Sequence, residues 1–369
     1  MNLTQMSQPE TVPNPKHQRS TKRILKIALQ VVFMVTIFAL LLWYVGLSSL
    51  YEALLTINVG YLILAFVMYF GINVFFTVRL RRVLSKDGVK TSFGKTLLAQ
   101  YAGMLTSDVT PGRSGYILTP VYLRDQNVPT SKSLSSILGI QTIEFLVKVA
   151  GGVGAVILLV QTVQVATWNE LFPQSIAGIN IGVLVAVLGI SLMLVGAIVL
   201  AAFTWSERAI AIFDRIANWR FIKRFSGGIL GKLEEYKESA HSTQKAIPEI
   251  LGLTMICWVL KGFEWYFLGL ALGITDVSWL AFFLIHPLVT ALAFVPITPA
   301  GLGVQEFGII GILGLLGVPI ATAGAFALIA RGILILEDLI GVPQIVKSTS
   351  LIFTNKTPKK TLSTPSEPV

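Results

Sequence analysis

Apolar runs of about membrane-spanning length alternate with short polar links along most of the chain, and in two places Pro and Gly break a run. Ile27 to Gly46, Val59 to Val78, Ser133 to Val160, Ile176 to Phe203, Ile247 to Leu272 and Pro319 to Val342 are each long enough to cross a bilayer as a helix. Shorter pieces flank the two breaks. Phe93 to Val109 and Tyr116 to Leu123 surround Thr110-Pro111-Gly112-Arg113-Ser114-Gly115, while Trp279 to Val295 and Val304 to Leu316 surround Thr298-Pro299-Ala300-Gly301-Leu302-Gly303. Pro removes a donor and Gly gives up backbone order, so each break leaves main-chain groups without helical partners. Lipid tolerates that only where protein or a water-filled cavity surrounds it. The pattern predicts an all-α polytopic membrane protein with about six full spans and two re-entrant helical hairpins.

Composition agrees. The 369 residues are 54% hydrophobic and 13% charged, with a mean hydropathy of +0.73. The formal charge of +10 comes from Lys and Arg blocks between apolar runs, which follow the positive-inside rule rather than forming a nucleic-acid surface. Arg79, Arg81, Arg82, Lys86 and Lys90 mark the inner end of the second span, and the basic loop from about 204 to 246 is the strongest such marker. Both termini are expected in the cytoplasm and the protein in the inner membrane, with Ile27 to Gly46 as a retained signal anchor. Residues 1–21 and 348–369 read as disordered tails around one transmembrane domain, 22–347. Ile212, Ile216 and Trp219 recur at helical spacing beside Arg215, Arg220 and Lys223. That fits an amphipathic helix on the anionic leaflet, or equally one packed on its own domain. The links Leu47 to Asn58 and Gln161 to Gln174 lack basic residues and are expected outside.

Parity then makes the chain an inverted repeat. The second span, first hairpin and third span begin and end outside, whereas the fifth span, second hairpin and last span begin and end inside. Both breaks share Thr-Pro-x-x-x-Gly and are followed by Val-Pro, at Val128-Pro129 and Val318-Pro319. Interrupted helices in corresponding halves are the pattern of a transport site near the midplane.

The embedded charges are the candidate chemistry. Arg113 sits in the first break, where a guanidinium costs about 2.5 to 3.5 kcal/mol unless something receives it. Its planar fork suits a lipid phosphate, and the structural alternative is an ion pair with Asp108, Glu144 or Glu306. Glu144 with Lys148, and Lys261 with Glu264, are at i,i+4 and i,i+3 and can neutralise one another on one helix face. Glu306 and Arg331 have no opposite charge at helical spacing, so they require tertiary partners, one another being a candidate. Glu337 and Asp338 are expected to reach the interface. Gly112, Gly115, Gly301 and Gly303 shape the breaks.

Other chemistries are excluded. Cys257 is the only cysteine, and His17, His241 and His286 are scattered, so no metal-ligand cluster forms. No nucleotide loop and no Gly-x-Ser-x-Gly turn occurs. No cofactor and no enzymatic activity is expected.

At the breaks the chain resembles the lysylphosphatidylglycerol synthase transmembrane-region family, also described as flippase-like membrane proteins. Pro111-Gly112-Arg113 with Gly115, Tyr122-Leu123-Arg124 and Val128-Pro129 carries the first likeness. Gly301-Leu302-Gly303-Val304-Gln305-Glu306 with Val318-Pro319 and Arg331 carries the second. Three positions depart from the family pattern: Tyr116 stands where Glu is frequent, Gln141-Thr142 where a Glu-Arg pair is common, and Gln305 where Arg is found. The resemblance implies movement of lipids between leaflets, and the membrane part without the transferase domain that some members carry. Expected partners are therefore membrane lipids, anionic or glycan-linked. The alternatives are a non-transporting anchor for a separate transferase and a secondary transporter of a small anion.

Overall fold

A computed structural model of the chain describes residues 46–110, 113–171, 173–176, 179–206, 208, 233–293 and 301–353, with Thr36, Ala39 and Trp43. These residues are almost wholly helical. In chain order they form α1 (Leu47–Leu55), α2 (Val59–Lys86), α3 (Phe93–Asp108), a 3-10 turn (Ser114–Leu118), α4 (Thr119–Tyr122), a second 3-10 turn (Arg124–Gln126), α5 (Thr130–Thr162) and α6 (Val165–Leu171). A two-stranded hairpin, β1 (Ser175–Ile176) and β2 (Ile179–Asn180), leads to α7 (Ile181–Trp205). Then come α8 (Leu233–Lys245), α9 (Ile247–Ala271), α10 (Trp279–Ala293), α11 (Val304–Leu315), α12 (Ile320–Asp338), a 3-10 turn (Leu339–Gly341) and α13 (Val342–Phe353).

Among the described residues, α2, α5, α7 and α9 are long and apolar enough to cross a membrane. Local chemistry sets where they begin. The Asn58 side chain accepts from the N–H groups of Gly60 and Tyr61 at 3.0 and 3.3 Å, and Asn180 caps α7 through Gly182 N–H at 2.9 Å, each filling an orphan donor of the first turn. α7 is apolar all round and leaves Leu188, Val195 and Ile198 more than half exposed. Such a face suits lipid and not water.

Several sequence expectations change in detail. Tyr116 to Leu123 is not a half-helix: 3-10 geometry and a single α-turn fill it, bounded by Arg113 and Asn127 in left-handed backbone at φ 54° and 58°. The last span is shorter than Pro319 to Val342, because the chain turns through 3-10 geometry after Asp338 and continues as α13. The links Leu47 to Asn58 and Gln161 to Gln174 hold α1 and α6, and Ile176 belongs to the hairpin. Most of Ile27 to Gly46, the Ile212 to Lys223 helix, Pro111, Gly112 and Thr298 to Ala300 lie outside the described residues.

Packing brings distant segments together. α2 runs along α9, α5 packs on α7 and α10, and α3 lies on α12 and the 3-10 turn after it. Two large apolar cores result, beside a small third of Phe145, Met193, Ala197 and Ala291. One gathers Tyr69, Trp265, Leu268, Phe282 and Phe326, and the other Leu80, Leu84, Ala102, Leu123 and Ile137. α8 is fastened to the bundle by the Ser239 hydroxyl, which donates to the Asp87 carboxylate, while Lys132 Nζ donates to the Asp87 carbonyl at 3.1 Å. Burial raises the Asp87 carboxyl above its ordinary range, and the Ser239 bond opposes that shift.

The α3 contact depends on one small residue. A Cβ on Gly341 meets main-chain atoms of Tyr101 and Ala102, which have no rotamer to yield, whereas a Cβ on Gly332 meets nothing within 4 Å. Gly341→Ala is expected to cost about 1–3 kcal/mol by overpacking. Gly332→Ala, inside α12, is expected to be neutral or to gain up to about 1 kcal/mol of helix propensity. Thermal unfolding of the detergent-solubilised protein separates the two.

Candidate functional site

The two cores do not meet seamlessly. Between them lies a cavity of about 130 Å³, room for a small ring-sized group and not just one ion. Its wall takes residues from the inner turns of α2, α3, α5, α9, α10, α11 and α12, together with Arg113 and Tyr116 from the first break.

Five cations line it: Arg79, Arg113, Lys148, Lys261 and Arg331. Each has a carboxylate partner. Glu144 accepts from Lys148 at 2.7 Å and from Arg79 at 2.9 Å. Asp108 accepts from Arg113 at 2.7 Å, Glu264 accepts from Lys261 through both oxygens at 2.6 and 2.7 Å, and Glu306 accepts from Arg331 Nε at 2.6 Å. Only Glu144 and Glu306 of these acids are themselves part of the wall. Asp108 and Glu264 stand behind it, so the surface that a guest would touch is more cationic than the pair count suggests.

The second break explains why Glu306 is held so firmly. Gly301 and Gly303 adopt φ of 69° and 83°, a region that only glycine enters at little cost, and this turns the chain into α11. Glu306 Oε2 then accepts from Gly303 N–H at 2.6 Å, leaving Oε1 for Arg331. At the first break Gly115 N–H donates to Thr110 Oγ1 at 2.7 Å, and the Gly115 Cα packs so closely on the Thr106 carbonyl that a side chain has no room. Ser107 Oγ donates to the Arg113 carbonyl at 3.0 Å. Gly112 lies outside the described residues.

The structure thus brings Arg113, Glu144, Lys148, Lys261, Glu306 and Arg331 to one cavity, with Glu264 just behind. Of the partners open to Arg113, Asp108 is the one it takes. Glu337 and Asp338 are not at the interface: they are 8% and 0% exposed, because the turn after α12 folds them against α3. Asp338 Oδ1 accepts from the Tyr69 hydroxyl at 3.0 Å.

Sequence reasoning missed Arg79, which it assigned to the cytoplasmic rim. It is 1% exposed, donates to Thr254 Oγ1 at 2.7 Å as well as to Glu144, and stacks on Phe76 at 4.6 Å. The signal was helical phase, since Arg79 shares a face with Ile72 and Phe76 while Arg81 and Arg82 do not. Gln100 was also missed. Its Oε1 accepts from the Tyr116 hydroxyl at 2.8 Å, but its Nε2 and the Nε of Arg79 are buried donors without a partner. His286 lines the same wall, edge-on to Trp265 at 5.0 Å between centroids. Among the described residues no group of His, Cys, Asp and Glu fits a metal ion.

The three departures can now be placed. Tyr116, Gln141 and Gln305 all line the cavity, so neutral hydrogen-bonding groups occupy the wall at these positions. Gln305 Oε1 accepts from Arg331 at 3.2 Å.

Apolar helices around an ion-paired cavity define a multi-pass, all-α integral membrane protein. Its sequence belongs to the lysylphosphatidylglycerol synthase TM region family, whose model matches residues 27–337. A relative, the UPF0104 membrane protein of Pyrococcus horikoshii, is 23% identical over 300 residues, which are 76% of this chain and 85% of that protein.

Proposed function

We propose that the protein moves an anionic phospholipid or a lipid-linked glycan between leaflets, the head group passing through the cavity while the acyl chains stay in lipid. The observation that carries this reading is the wall itself: five cations converge on one cavity, and the carboxylate partners of two of them, Asp108 and Glu264, are not part of the wall. Arg113 holds the phosphate, Lys148 and Lys261 share its charge, and Glu306 with Arg331 forms the opposite gate. The glycines of both breaks let the backbone approach.

The same reading takes the chain as about six full spans and two re-entrant hairpins in inverted repeat, in the inner membrane, with both termini cytoplasmic. Residues 22–347 form the transmembrane domain between two tails. Packing supports the repeat: α2 pairs with α9, and the contact of α5 with α10 is matched by that of α3 with α12. No cofactor and no covalent chemistry enters this reading. The family's description as a synthase region favours one second reading, a non-transporting partner for a separate transferase.

The test uses the full-length protein in vesicles containing fluorescent phosphatidylglycerol and an impermeant quencher. Wild type is expected to accelerate exchange over protein-free vesicles. Arg113→Gln is expected to slow it by about ten- to a hundredfold, the worth of a charged hydrogen bond of about 1.5–3 kcal/mol. Undiminished exchange removes Arg113 from the site. No exchange by wild type, with co-purification of a soluble enzyme, favours the partner reading.

A further inference from the structure

Behind the wall, α2, α3, α9 and α12 bury an unbalanced set of charges. The carboxyls are Asp108 on α3, Glu264 on α9, and Glu337 and Asp338 on α12; the cations are Arg113 and Lys261. Two tyrosines complete the cluster: Tyr69 of α2 donates to Asp338, and Tyr101 of α3 donates to Glu337 at 3.5 Å. Lys261 lies 4.8 Å from the Tyr69 ring centroid. Four buried carboxyls facing two cations cannot all be ionised without a penalty that proteins relieve by neutralising a group.

Two oxygens show where. Asp108 gives Oδ1 to Arg113 and Asp338 gives Oδ1 to Tyr69, and the Oδ2 atoms of both are buried without a partner. Asp108 is among the charged groups nearest Asp338, where α3 packs on α12. Two carboxylates cannot bond to each other, because each only accepts; once one is protonated, a single O–H satisfies both oxygens.

We infer that Asp338 is a proton-binding site, its O–H directed at Asp108, and that Arg113 couples this site to the anion cavity. Arg113 belongs to both: it lines the cavity and it balances Asp108. A phosphate that draws the guanidinium away leaves Asp108 buried with the Asp338 O–H as its remaining partner, so Asp338 keeps its proton while the anion is bound. Departure of the anion returns Arg113 to Asp108 and loosens the proton. Anion and proton therefore bind cooperatively, and a pH gradient biases movement of the head group. The coupling rests on the translocation reading above, whereas the proton site does not.

Two measurements on full-length protein in phosphatidylethanolamine and phosphatidylglycerol vesicles test them separately. Infrared difference spectra at neutral pH are expected to contain a protonated-carboxyl C=O band that is absent in Asp338→Asn and shifted in Tyr69→Phe, which keeps both carboxyls. A spectrum unchanged by both substitutions overturns the proton site. In the exchange assay, a gradient of one pH unit is expected to bias wild-type exchange of fluorescent phosphatidylglycerol by up to about tenfold, one proton's worth, and to have no effect on Asp338→Asn. Exchange that ignores the gradient in wild type overturns the coupling. Absence of exchange overturns translocation, and the infrared band then decides the proton site alone.

Discussion

Arg331→Met is expected to lower the stability of the folded protein by about 3–5 kcal/mol, the usual consequence of removing one partner from a buried ion pair. Glu306 is 3% exposed and stays behind with one oxygen on Gly303 N–H and the other facing apolar α12. The helix N-terminus offers it a partial positive charge, but not enough to replace a guanidinium at 2.6 Å. Adding Glu306→Gln to Arg331→Met is expected to recover most of the loss, because neither side then leaves a charge uncompensated. Unfolding midpoints of the two single variants and the double variant in detergent check this. If Arg331→Met alone leaves the midpoint unchanged, the pair is not what holds α11 to α12.

Glu144→Gln is expected to be at least as damaging, about 3–5 kcal/mol or more, because two cations depend on that carboxylate. Arg79 cannot shed its proton in a protein, and at 1% exposure it has no water to turn to. Lys148→Met is the informative contrast. It keeps the Arg79 pair to Glu144 and Thr254 intact, so its cost is expected to be clearly smaller. Equal midpoints for the two variants would mean that Arg79 does not rely on Glu144. Because α2, α5 and α9 meet at this point, the loss is expected to reach all three helices, which amide exchange would register.

Much of this was legible because a bilayer permits so few backbone solutions. Apolar runs named α5, α7 and α9 to within about five residues, whereas α2 continues past Val78 to Lys86, and Pro and Gly named the breaks. Glu144 with Lys148 and Lys261 with Glu264 were readable from spacing alone, since neighbours on a helix face find each other without a tertiary fold. Glu306 with Arg331 was reachable only by elimination, their 25-residue separation saying nothing about contact. Arg79 was hidden for a different reason. A cation at the end of an apolar run resembles a rim marker, and only its phase against Phe76 tells it from Arg81. Asp338 was hidden because its burial depends on a 3-10 turn seated on α3 through Gly341, a contact that no local pattern announces. Tyr116 to Leu123 was taken for a half-helix, since apolar content survives the change from α to 3-10 geometry.

The ion pairs of the five cavity cations share one property. Arg79 with Glu144, Lys148 with Glu144 and Arg113 with Asp108 all lie before the basic loop, and Lys261 with Glu264 and Arg331 with Glu306 all lie after it. Among the described residues, the ion pairs that join the two halves, Lys86 with Glu249 and Lys347 with Asp125, place their lysines at 40% and 53% exposure. In the interior the halves meet through hydrogen bonds such as Arg79 to Thr254 and Tyr69 to Asp338. Each half therefore contains the counter-ions of its own cavity cations, and insertion of the first half would not have to wait for a carboxylate from the second. A gene cut within the loop and expressed as two pieces would ask neither piece to carry an orphan cation into the bilayer.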